Sequence, residues 1–198
     1  MVIAPLTFLV ITGQTASGKE RVALTVAEHL GGEIVSMDSM KVYRRLDVGT
    51  AKPSADDRHR VPHHLLDVVE PWESYSAARW AEAAEAALAD IAARDRTPIV
   101  SGGTVLYLKA LLFGLFEGPS ADLALRAALQ AEAERTGTPA LHERLRGVDP
   151  AAAAKIHPND LRRIVRALEV HQLTGRPISA QQQQFGTVRS HLAPLVVS

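Results

Sequence analysis

The residues best suited to chemistry lie between Gly13 and Glu20, GQTASGKE, where the spacing G-x-x-x-x-G-K follows an apolar run and opens a helical pattern. Backbone N–H groups from Gly13, Gln14, Thr15, Ala16, Ser17, Gly18, Lys19 and Glu20 can curl round an anion, and Lys19 with the helix N-terminus adds positive charge. A loop of this kind suits a phosphate or diphosphate. The position after the lysine is normally Ser or Thr, whose hydroxyl ligates magnesium, and here it is Glu20. Ser17 and Thr15 offer hydroxyls within the loop, and Glu20 could itself reach the ion, so a Mg2+ site is expected near Ser17 and Glu20. A carboxylate beside a diphosphate is repelled unless a cation lies between them.

Asp38 and Ser39 follow a second apolar run, and Gly102-Gly103-Thr104 follows a third. Asp38 reads either as a loop or helix-capping aspartate or, beside the phosphate loop, as a proton acceptor or a water-mediated magnesium holder. Thr104 can cap a helix and still present its hydroxyl to an anion. The eight histidines are scattered. His63 and His64 are adjacent, cannot share one face and read as structural. Arg162, Arg163 and Arg166 sit on a helical pattern whose apolar stripe is Leu161, Ile164, Val165 and Leu168. They form either a solvated face or a phosphate-binding one.

The elements that must position these residues alternate. The pattern predicts strands at 6–12, 33–37, 64–69, 97–101 and 191–197, with helices at 20–30, 77–94 and 104–112 between them. The stretch 40–54 lacks periodicity and reads as a long loop with at most a short helix, a length that in a compact domain usually serves function. This alternation argues for an α/β fold of the P-loop type, a doubly wound parallel sheet, in which ligands bind outside the carboxyl ends of the strands. After 117 the pattern is helical only, at 122–135, 139–145, 150–156 and 161–173. The division expected is therefore a catalytic core at 1–117, a helical insertion lobe at 118–180, and a return segment to the core at 181–198. The run Gln181 to Gln184 reads as a solvated helix end or loop.

The 198 residues suffice for one core and a small satellite lobe, and 46% apolar with 22% charged residues is a globular composition. No apolar run approaches a membrane span, and the start lacks a basic signal-peptide region, so a cytoplasmic protein is expected. With no cysteine, disulfides, thiolate nucleophiles and Cys-based zinc sites are excluded. Net charge is zero. Residues 1–120 carry 12 Lys+Arg against 15 Asp+Glu, and 121–198 carry 10 against 7. The mild basic excess of the second part fits two solvated surfaces as well as a polyanion-binding lobe.

Taken in order, GQTASGK, SMDSMKVY, DVGTAKP, PHHLLD, YSA, VSGGTVLYLKALL and HPNDLRRIVRALEV resemble the tRNA dimethylallyltransferases, or tRNA isopentenyltransferases, over essentially the whole chain. DVGTAKP followed by GGTVLY is far more specific than the phosphate loop. The resemblance implies transfer of a dimethylallyl group from dimethylallyl diphosphate to the exocyclic amine of the adenosine 3′ of the anticodon. The phosphate loop would then hold an isoprenoid diphosphate, with Mg2+ as cofactor and a tRNA anticodon stem-loop as partner of a monomer. By position, Asp38 matches the family's general base, Thr104 its threonine near the departing oxygen, and Lys19 stabilises the leaving diphosphate. Asp38, Ser39, Met40 and Lys41, together with Thr104, Arg126, Arg162, Arg163, Ile164, Val165 and Arg166, would lie against the tRNA. Base flipping into a crevice between the lobes would follow. The family continues through further helices beyond the strand at 191–197, supplying another diphosphate-binding arginine and more tRNA contacts.

Three other functions remain open on sequence. A small-molecule kinase would share the strand, loop and helix and would bind ATP, although position 20 and the lack of a later strand-then-Asp metal motif speak against it. An adenylate isopentenyltransferase would use the same donor on a free nucleotide. A catalytically impaired RNA-binding remnant would keep the arginine helix alone.

Overall fold

The computed structural model describes residues 4–14, 16–116, 118–182 and 187–198. The chain divides into two compact units, one of residues 1–114 and 187–198, the other of residues 115–186.

The first unit is built on five parallel strands: β1 (Leu6–Thr12), β2 (Gly32–Ser36), β3 (His63–His64), β4 (Thr97–Gly102) and β5 (Leu192–Val197), in the order β3-β2-β4-β1-β5. Each of the three central strands is apolar on both faces because both faces are covered. On one face, Ile11, Ile34 and Ile99 pack with Ala23 and Ala27 of α1 (Lys19–Leu30) and with Val61. Residues one position along, Phe8, Val10, Val35 and Val100, point the other way by the two-residue period of a strand and are equally buried. On that side α3 (Ala77–Ala93) packs against β1, β2 and β4 and against α4 (Val105–Phe113). Trp80 of α3 stacks on Tyr107 of α4 at 4.7 Å and donates its indole N–H to the Ser36 carbonyl at 3.0 Å.

One strand expectation is corrected. The predicted strand 64–69 is only the pair His63–His64, because Leu65 and Asp67 adopt positive φ (61° and 54°) and break the extension; Val69 makes only an isolated parallel bridge to Tyr43, outside the named strands. A helix, α2 (Ala55–Arg60), follows the loop of 40–54, at positions the sequence reading left unassigned. Its start was written in the sequence as Ser54-x-x-Asp57, a reciprocal capping box in which each side chain accepts from the other's backbone N–H.

The second unit is all helix: α5 (Leu123–Thr136), α6 (Thr138–Val148), α7 (Pro150–Ala153), α8 (Leu161–Thr174) and α9 (Ile178–Gln181). Leu129, Leu141, Leu145, Ile164 and Leu168 form its core. Asp149 ties α7 to α9, accepting from the Ala152 N–H at 2.9 Å and from the Ser179 hydroxyl at 2.6 Å. Of the glutamine run, Gln181 ends α9, while residues 183–186 lie outside those described. Among the described residues no helix is long and apolar enough to cross a membrane.

Candidate active site

Three strand ends meet where the parallel sheet leaves a crevice. A cavity of about 590 Å³ is lined by Ala16, Gly18, Lys19 and Glu20 after β1, Asp38, Ser39 and Met40 after β2, Gly103 and Thr104 after β4, and Gly49, Thr50 and Ala51 of the long loop. Phosphate loop, carboxylate and hydroxyl therefore share one wall, as the topology requires of neighbouring β2, β4 and β1.

Each part is fixed locally. Gly18, the N-cap of α1, has φ 79°, a left-handed conformation that a β-carbon would strain, and it turns the loop into the helix. Lys19 closes the loop by donating its ammonium to the Gln14 carbonyl at 3.0 Å. Ala16 and Ala51, both lining the cavity, also have positive φ (64° and 51°), strain of about 1 kcal/mol per residue, of a kind that concentrates at ligand sites. Thr15 lies outside the described residues.

Asp38 accepts the Met40 N–H on Oδ1 at 2.8 Å and the Lys41 N–H at 3.3 Å, a turn that holds the carboxylate at the cavity wall. Thr104 is the N-cap residue of α4, but its side chain makes no capping bond. Its hydroxyl accepts instead from the Ser39 N–H at 3.1 Å, joining the glycine turn after β4 to the end of β2. Close approach makes this possible: a β-carbon on Gly102 would stand 2.1 Å from the Met37 carbonyl oxygen.

Sequence reading missed the residues that hold the long loop in place. Lys52 of DVGTAKP has a side chain only 3% exposed and donates to the Tyr43 carbonyl at 2.7 Å, Asp47 at 2.8 Å and Asp67 at 2.6 Å. Arg58 binds the other oxygen of Asp67 at 2.9 Å. Burial works to lower the Lys52 pKa, but the carboxylates of Asp47 and Asp67 outweigh it and hold the ammonium above its ordinary value. The signal was present in the two motifs, DVGTAKP and PHHLLD, each of which carries one half of an ion pair.

Lys41, expected against tRNA, is 4% exposed and turns its ammonium inward onto Glu20. That pairing bears on the expected metal. Glu20 has one carboxylate oxygen committed to an ammonium, which leaves only the other for a metal ion. Among the described residues no three His, Asp or Glu side chains cluster as a metal cage. His63 lines a second cavity of about 350 Å³, together with Glu20, Lys41, Ser36 and Ser101, and burial pushes its pKa down.

In the helical unit the candidates part company. Arg162 and Arg163 are exposed, and Arg163 pairs with Asp160 at 3.3 Å. Ile164 (0%) and Val165 are buried in the core and present no side chain to a partner. Arg126 and Arg166 clamp the buried Glu169 carboxylate, Arg126 at 2.8 and 2.9 Å and Arg166 at 2.6 Å, so their charge is used within the unit.

Comparisons with known proteins agree with this layout. The family described as IPP transferase matches residues 41–197. The tRNA dimethylallyltransferase of Anaeromyxobacter dehalogenans strain 2CP-C is 62% identical over 162 residues, covering 82% of this chain and 54% of the relative. That of Halorhodospira halophila is 56% identical, covering 90% and 57%. The chain spans about half the length of the curated relatives it matches. Among solved structures, a eukaryotic dimethylallyltransferase acting on tRNA has a TM-score of 0.72 at 30% identity, over 96% of this chain and 48% of its own. The tRNA isopentenylpyrophosphate transferase of Bacillus halodurans has a TM-score of 0.56 at 43% identity, over 87% and 57%. With four-fifths of its residues matched and its site at the expected strand ends, the chain belongs to the IPP transferase family.

Proposed function

We propose that the protein transfers a dimethylallyl group from dimethylallyl diphosphate to the exocyclic amine of the adenosine 3′ of the anticodon in tRNA, acting as a monomer in the cytoplasm. The observation that carries this reading is the single cavity in which the phosphate loop, Asp38 and Thr104 converge. The names of the relatives, which act on tRNA, support the substrate.

In this reading the loop N–H groups and Lys19 hold the diphosphate. The amine nitrogen forms its bond to C1 of the dimethylallyl group as the C1–O bond breaks and its electron pair leaves with the diphosphate. Asp38, whose carboxylate lines the same cavity, takes the amine proton. Thr104, held by Ser39, presents its hydroxyl toward the departing oxygen. Developing charge on the leaving group is met by donors already in place, the arrangement that lowers such barriers most. Magnesium, when bound, adds charge to the same end, with the Ser17 hydroxyl as the loop's donor. Of the four candidate arginines on the helical unit, Arg162 and Arg163 are the two left exposed to meet tRNA phosphates.

The test supplies labelled dimethylallyl diphosphate and magnesium with unmodified tRNA or AMP as acceptor, and ATP in a separate arm. Label on tRNA is expected. Label on AMP alone would assign the adenylate reaction, and ATP turnover without prenyl transfer would assign a kinase.

A further inference from the structure

Glu20 departs from the phosphate-loop pattern, and the structure supplies its partner. Lys41 is 4% exposed, and its ammonium donates to Glu20 Oε1. The Glu20 side chain is 47% exposed and lines both cavities, the larger one with Gly18 and Lys19, the smaller one with Lys41, Ser36 and Ser101. Glu20 thus borders both cavities, with one carboxylate oxygen paired to Lys41. A buried ammonium persists only when paired, and Glu20 is the acceptor that the described residues give it. A bare carboxylate next to Lys19 would repel a diphosphate held by the loop.

We propose that Lys41 is the resident counter-charge of the phosphate loop. It neutralises Glu20, so that the cavity accepts a diphosphate beside a carboxylate, and the two residues act as one unit in place of the usual hydroxyl. Lys41 is then a positioning residue for the donor and not a tRNA contact. This inference rests on the diphosphate reading above.

The test is calorimetric titration of the full chain with inorganic pyrophosphate in magnesium buffer. Lys41→Met leaves Glu20 uncompensated and is expected to weaken binding at least about fivefold, the effect of one unit charge at contact distance in a solvated site. Lys41→Gln keeps a donor for Oε1 without the charge and is expected to lose as much. Adding Glu20→Thr to Lys41→Met removes the repulsion and is expected to recover most of the loss. Rescue by Lys41→Gln, a double variant no better than Lys41→Met, or a Lys41→Met affinity within about twofold of the unaltered chain would overturn the proposal. If the unaltered chain itself fails to bind pyrophosphate, the diphosphate reading falls first.

Discussion

Lys52 and Asp67, fifteen residues apart in the chain, meet through a hydrogen bond of 2.6 Å that ties the long loop after β2 to the segment after β3. The loop so held contributes Gly49, Thr50 and Ala51 to the cavity. Lys52→Met removes three hydrogen bonds and leaves Asp47 and Asp67 without their ammonium. Both carboxylates are partly exposed and recover water, so the cost is expected to be about 2 kcal/mol and not the full value of a broken buried pair. Urea unfolding checks this, and pyrophosphate affinity measured on the folded variant should fall with it as the cavity wall loosens.

Thr104 and Ser39 provide a narrower probe. Thr104→Ser keeps an acceptor for the Ser39 N–H, while Thr104→Val removes it at nearly constant shape. Transfer activity is expected to survive the first change within about threefold and to fall by roughly tenfold or more in the second, as loss of a pre-placed donor to a leaving oxygen implies. Single-turnover rates at saturating donor distinguish the two variants.

Acid should loosen both units. Burial pushes the Glu169 carboxyl up, but hydrogen bonds from Arg126, Arg166 and the Asp122 N–H outweigh it and hold it at about 2. Glu33 is likewise held at about 2, chiefly by hydrogen bonds from Arg94, against burial and with help from His64. Folded values below the ordinary one of 4.5 mean that the stability from each carboxylate is fully present above that pH. It is lost as pH falls toward the folded value, about 2 kcal/mol each between roughly pH 5 and pH 3. Unfolding by urea at the two pH values reads the loss, and Glu169→Gln should flatten its share of the slope.

Much of this arrangement was legible in the sequence, and the exceptions have a common cause. Strand, loop and helix at 6–30 are local, written in an apolar run, two glycines and a 3.6-residue period, and they fold as read. The α2 helix was equally local in its Ser54–Asp57 capping box, a signal available but not used. What could not be read were side-chain directions set by tertiary pairing. Lys41 and Lys52 look alike as loop lysines, yet both are buried by carboxylates distant in sequence, Glu20 in one case and Asp67 in the other. Arg126, Arg162, Arg163 and Arg166 look alike as helix-borne cations. Only the buried Glu169, 43 residues beyond Arg126, separates those that hold the unit together from those that face solvent. The strand expected at 64–69 failed for a related reason: its apolar letters are real, but the Asp67 it contains is recruited by Lys52 and Arg58 into a turn.

The central claim, that Asp38 accepts the amine proton beside a loop holding the diphosphate, is tested most directly by Asp38→Ala. Prenyl transfer to unmodified tRNA and binding of inorganic pyrophosphate are measured on the same preparation. The account predicts transfer reduced by about 10²-fold or more, the usual contribution of a positioned base, with pyrophosphate affinity within a few-fold of the unaltered chain. Transfer at an undiminished rate in Asp38→Ala would contradict it.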